Sequence, residues 1–99
     1  MHLSRYDGAW SLLIVTQRGS CDRTYNFAVR IDNGIVTFPG FVRARGRVTS
    51  GGHVRVAISA GGKYASGSGR IARNNVASGR WSGRSGRDRC SGYWTARRS

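Results

Sequence analysis

From Trp10 to Arg98, apolar and polar residues alternate with a period of two, and Gly or Asn interrupts the alternation roughly every 8–12 residues. That period predicts half-buried β-strands rather than helices, because successive side chains on a strand point to opposite faces. The first strand spans about Gly8–Gln17, with Trp10, Leu12 and Ile14 on one face. The second, Thr24–Asp32, places Tyr25, Phe27, Val29 and Ile31 inside and Asn26, Arg30 and Asp32 outside. Asn33-Gly34 is a strong two-residue hairpin signal, since both positions favour positive φ. Pairing around it sets Ile31 beside Val36 and Val29 beside Phe38. A loop at Pro39-Gly40-Phe41 leads to a fourth strand with Val42, Ala44, Gly46 and Val48 inward and Arg43, Arg45, Arg47 and Thr49 outward.

After Ser50-Gly51-Gly52, a fifth strand faces Val54, Val56, Ile58 and Ala60 inward, and Gly61-Gly62 is a further tight turn. The sixth strand offers Ala65, Gly67, Gly69 and Ile71 to the interior, the seventh Ala77, Gly79, Trp81 and Gly83, and the eighth Gly92, Trp94 and Ala96. Every hairpin from the second to the seventh strand can be registered with inward residues opposite inward residues. The expected fold is therefore all-β: a small antiparallel up-and-down barrel of about eight short strands, closed between the first and the eighth, with a sandwich as the alternative. Residues 1–7 form a tail, and residues 8–99 the single barrel domain.

The chain has 99 residues, 38% of them hydrophobic, with 15 glycines and 2 cysteines. So small a domain has a thin core and gains from a covalent staple. Cys21 lies just past the first strand and Cys90 at the start of the eighth, so a Cys21–Cys90 disulfide would pin the closing seam. It would contribute roughly 3–4 kcal/mol in the chain-entropy model. Two buried free thiols are the alternative. A disulfide implies an oxidising compartment, which makes the protein periplasmic or secreted. No apolar run spans a bilayer, and Met1–Ser4 reads as a trimmed leader rather than a targeting segment, so export rests on the cysteines alone. Trp81 falls opposite Gly67, and the interior is expected to be filled, with Trp10, Trp81 and Trp94 packed against glycines. A lined apolar pocket is the other outcome.

The formal charge is +13, from 17 Lys and Arg against 4 acidic residues, all aspartate. A GC-rich genome could account for arginine over lysine, but not for the scarcity of acids. The register aligns Arg47, Arg55, Ser68 and Arg80 in one outward row. Neighbouring rows read Thr49, His53, Arg70, Ser78; Arg45, Ala57, Ser66, Ser82; and Arg43, Ser59, Tyr64, Arg84. Arg43, Arg45, Arg47, Arg55, Arg70, Arg80 and Arg84 thus make a flat cationic wall suited to phosphate, sulfate or carboxylate. A solvated wall that only keeps the protein soluble is the plain alternative. Tyr64 and Tyr93 point outward and could stack on bases or sugars. The segment Arg84–Arg89 reads as a rim loop that extends the anion site or contacts a partner.

Gly8-Ala9-Trp10 on the first strand, with Arg97 on the last, resembles the signature of calycin barrels such as lipocalins and avidins. The resemblance implies an eight-stranded barrel whose base Trp10 closes, stacked on Arg97 or Arg98 as a structural cation–π pair. The core positions under this reading are Trp10, Trp81, Trp94 and Arg97. Small periplasmic inhibitors of bacterial metalloproteases are also similar, in an early Gly-x-Trp and the following Cys21-Asp22. Their disulfide closes early in the chain, whereas Cys21 here can reach only Cys90, and Met1–Asp7 does not match their inhibitory segment.

Catalysis is not expected. His2 is terminal, His53 flanks arginines, and the four aspartates sit at strand ends or turns. Metal-ligand spacing is absent, and Gly67-Ser68-Gly69 lacks the following helix of a phosphate loop. No cofactor or metal is implied. The leading expectation is an exported, monomeric binding module for anionic polymers or membrane-surface phosphates: acidic polysaccharide, lipopolysaccharide or nucleic acid. The alternatives are a carrier of a small apolar ligand or a protein inhibitor acting through the barrel mouth or rim loops, and a purely structural envelope protein.

Overall fold

The computed structural model describes residues 5–38 and 43–99. Alternation becomes strand throughout: β1 (Gly8–Arg18), β2 (Thr24–Asp32), β3 (Ile35–Thr37), β4 (Arg43–Val48), β5 (His53–Ala60), β6 (Lys63–Ile71), β7 (Val76–Ser85) and β8 (Asp88–Arg98). Each strand pairs antiparallel with the next, and β1 pairs with β8, so the sheet is a closed barrel. Among the described residues no helix is long and apolar enough to cross a membrane.

The turns follow their chemistry. Asn33 and Gly34 take φ of 55° and 78°, and the hairpin registers Ile31 with Val36. β3 nevertheless ends at Thr37, so the expected pairing of Val29 with Phe38 is not made. Phe38 instead leaves the ladder and packs edge-to-face on Phe27, ring centroids 5.9 Å apart. The loop Pro39-Gly40-Phe41 and the inward position Val42 lie outside the described residues. The expected rim loop Arg84–Arg89 is not a loop: β7 runs to Ser85, β8 starts at Asp88, and Arg84 pairs with Arg89 across the turn Gly86-Arg87. Gly86, at φ 63°, makes that two-residue connection sterically open.

The two ends of the barrel differ. At the base, Trp10, Val29, Ile31, Val36, Val48, Val54, Ile71, Ala77, Trp94 and Ala96 are buried. Arg5–Asp7 lie against that end: the Tyr6 carbonyl accepts the Trp10 indole N–H at 2.8 Å, and Asp7 accepts the Asn33 amide at 2.8 Å. At the opposite end, the mouth, inward residues such as Ile14, Phe27, Ile58 and Ala65 are only half-buried. The Cys21–Cys90 disulfide, spanning 69 positions in sequence, ties the connection after β1 to β8 beside the closing seam at this mouth.

The structure corrects two expectations about the interior. The expected filled core instead holds a cavity of about 230 Å³, lined by all three tryptophans and by inward apolar residues from the base to the mouth. Trp81 does stand opposite Gly67, and Trp94 lies against Gly67 and Gly69, so the β6–β8 side is filled as expected. On the other side, Val, Ile and Phe side chains line a gap that they do not close. Arg97, the second correction, is not a core residue; it is exposed. Trp94 and Ala96 are buried on β8, so the strand period carries Arg98 to the same face and Arg97 to the other. The Arg98 guanidinium accordingly sits 5.0 Å from the Trp10 ring centroid and donates to the carbonyls of Asp7 and Arg5.

Candidate functional site

Outward positions of β4–β7 come together as one face. Arg47 pairs with Arg55, Arg55 with Ser68, Ser68 with Arg80, and Arg80 with Tyr93 of β8. Exposed Ile35 of β3 stands opposite Arg47 and separates the arginines from Asp32 of β2, its other partner, and exposed Tyr93 lies at the β8 end. Toward the mouth runs a second row of Arg43, Ser59, Tyr64, Arg84 and Arg89. Between the two lie Arg45, Ala57, Ser66, Ser82 and Ser91, and the short side chains from Ala57 to Ser91 leave the face recessed between the rows. Toward the base, Arg70 pairs with His53, and Arg70 Nη2 lies 3.4 Å from His53 Nε2.

Arg43, Arg45, Arg47, Arg55, Arg70, Arg80 and Arg84 are all exposed. Among the described residues none of them forms an ion pair with a carboxylate. The salt bridge Arg30–Asp32, at 4.0 Å, lies on β2, off this face. Asp22 and Asp88 stand at the mouth near the disulfide, where the Ser20 hydroxyl donates to Asp88. A guanidinium without a carboxylate keeps its fork of N–H donors for an incoming anion. Directly opposed Arg47 and Arg55 repel by some tenths of a kcal/mol, with no acid between them to offset it. A barrel surface of arginine and serine also reverses the apolar outer band of a membrane-spanning barrel.

Tyr64 is 52% exposed and Tyr93 38%, so both rings present a face to solvent, one in each row. Ile35, 52% exposed, was not singled out from the sequence, where its inward-looking neighbours Ile31 and Val36 mask it. Its phase opposite Arg47 was the available signal. The tryptophans are structural at their polar edges: Trp81 Nε1 donates to the Val15 carbonyl at 2.9 Å and Trp94 Nε1 to that of Ser68 at 3.3 Å. Among the described residues no group of histidine, cysteine, aspartate and glutamate side chains could hold a metal ion. No family model, characterised protein or solved structure matches the chain.

Proposed function

We propose that this protein is an exported, non-catalytic binding module that holds an anionic polymer on the arginine wall of β4–β7. Acidic polysaccharide, lipopolysaccharide phosphate and nucleic acid are the candidate partners. The observation that carries the reading is the opposition of Arg47 and Arg55, continued by Arg80, on a face without a carboxylate. Such an arrangement gains nothing for the fold, because like charges across a ladder destabilise it. It does suit a ligand that supplies the missing negative charge. The flat backbone of a barrel wall inserts nothing into a groove or between bases, so recognition is of charge and spacing rather than of sequence. The disulfide supports export, since such bonds persist in oxidising compartments.

Binding to a labelled nucleic acid and a labelled acidic polysaccharide across a salt series tests this function. Affinity is expected to fall steeply with salt, and the Arg47→Ser, Arg55→Ser, Arg80→Ser triple variant should flatten the slope on log axes by about 2–3. All three positions are exposed on strands, so the variant retains the fold. Absence of binding at low salt, or a triple variant that binds as the parent does, would sink the proposal.

A further inference from the structure

We propose that the occupant of the arginine wall is a single chain of polyuronate, a polysaccharide with a carboxylate on each sugar, lying across the strands in the recess between the two arginine rows. The inference rests on the reading of the wall as a polyanion site and names the polymer that the site takes.

Two pairs of arginines oppose one another across the ladders, one pair on each bank of the recess. Arg47 faces Arg55 between β4 and β5 on the base side, and Arg84 faces Arg89 between β7 and β8 on the mouth side. All four are exposed. Asp88, next to Arg89, is in phase with buried Cys90 and takes the Ser20 hydroxyl, so it offsets neither member of that pair. Like charges set directly opposite destabilise a ladder, and a carboxylate placed between two guanidinium groups relieves the repulsion with charge-assisted hydrogen bonds to both. Because the pairs stand on opposite banks, a ligand that meets both must turn anionic groups to both of its sides. A polyuronate extended as a two-fold ribbon does so, since successive sugars, and with them their carboxylates, face opposite ways. The spacing of neighbouring strands, about 4.8 Å, is close to the length of one sugar along such a ribbon, so successive sugars fall over successive strands.

The recess favours a sugar chain over a nucleic acid. Its banks lie four residues apart along each strand, about 13 Å, which seats one chain and not a duplex. Ala57, Ser66 and Ser91 of its floor are half-buried although they face outward, while Arg55, Arg80, Arg84 and Arg89 beside them are exposed. The floor carries no ring, and Tyr64 and Tyr93 stand on opposite banks, so successive bases find no run of aromatic faces on which to stack. The hydroxyls of Ser66, Ser82 and Ser91 can each donate and accept. Among the described residues none of the three is hydrogen-bonded within the protein, which leaves them for the ring hydroxyls of a sugar laid on the floor.

Calorimetric titration at low salt with hexamannuronate, a thymidylate hexamer and a short DNA duplex, compared at equal charge, tests the assignment. Hexamannuronate should bind most tightly, and the thymidylate hexamer about tenfold more weakly for want of the hydrogen bonds to the floor. The double variant Ser66→Ala, Ser82→Ala should weaken hexamannuronate about tenfold and leave thymidylate unchanged. Arg47→Ser with Arg55→Ser on one bank, and Arg84→Ser with Arg89→Ser on the other, should each weaken hexamannuronate. If none of the three ligands binds, the reading of the wall as a polyanion site fails, and this assignment with it. If the thymidylate hexamer or the duplex binds as tightly as hexamannuronate, or the serine variant binds hexamannuronate as the parent does, the polyuronate assignment alone is overturned.

Discussion

Arg97 and Arg98 are neighbours in sequence with opposite roles. Arg98 lies over the Trp10 ring and ties the Arg5–Asp7 segment across the barrel base, while Arg97 projects into solvent. Arg98→Ala should therefore cost about 2 kcal/mol, from a partly desolvated cation–π contact and the hydrogen bonds it makes. Arg97→Ala should stay within about 0.5 kcal/mol, as exposed substitutions do. Chemical denaturation of the two variants checks the contrast. Gly79 makes the same point without charge. A Cβ there would collide with the Ser68 carbonyl and lie 2.6 Å from Gly69 Cα across the β6–β7 ladder. Gly79→Ala should cost about 3 kcal/mol by overpacking, seen as a lowered thermal midpoint. The Trp–Arg pair at the base was legible in the sequence, but its member was set by strand phase: Arg98 shares the phase of Trp94 and Ala96, and Arg97 does not.

At the scale of elements, the seams are unequal. The β6–β7 ladder registers from Lys63 with Ser85 to Ile71 with Ala77, whereas β3 pairs with β4 only through Ile35–Arg47 and Val36–Gly46. The β1–β8 seam is long but shifts register between Thr16 and Arg18. Just beyond, Gly19 takes φ 99° and lies so close to the Arg89 carbonyl and Cys90 Sγ that no side chain would fit. The disulfide follows at once, which makes it the clamp on the irregular end of the closure. Replacing both cysteines with serine should cost about 3–4 kcal/mol. Hydrogen exchange should show the extra opening concentrated at the mouth ends of β1 and β8, while β6–β7 keeps its protection. Asn33-Gly34 announced its hairpin by local chemistry. The turn at Gly86-Arg87 did not, because Arg84-Ser85-Gly86-Arg87-Asp88-Arg89 has the composition of coil. Its strands persist there because the flanking ladder continues through Arg84 and Arg89.

The whole molecule carries +13 on 99 residues, with a large share on one wall. Self-repulsion of such a field destabilises the compact state and is screened within roughly 10 Å at 0.1 M salt. The thermal midpoint should consequently rise by a few degrees between low and moderate sodium chloride. Removing Arg47, Arg55 and Arg80 should raise the low-salt midpoint and flatten that dependence. Scanning calorimetry of the parent and triple variant over one salt series measures both effects. A triple variant that gains stability and loses polymer binding would support the proposed function.

Strand phase, the pairing of β2 through β7, the arginine rows and the site of the disulfide could all be read from the chain itself. Each depends on a period of two and on turns of two or three residues, which are local properties that a linear sequence records. The cavity could not be read in that way. Whether inward side chains meet depends on the tilt and closure of all eight strands and on volumes summed across the barrel from residues far apart in sequence. Glycines on β6–β8 admit the tryptophan rings and fill their side, while the branched residues of β2–β5 stop short of one another. That balance of volumes, settled only when β1 meets β8, leaves the cavity inside the barrel.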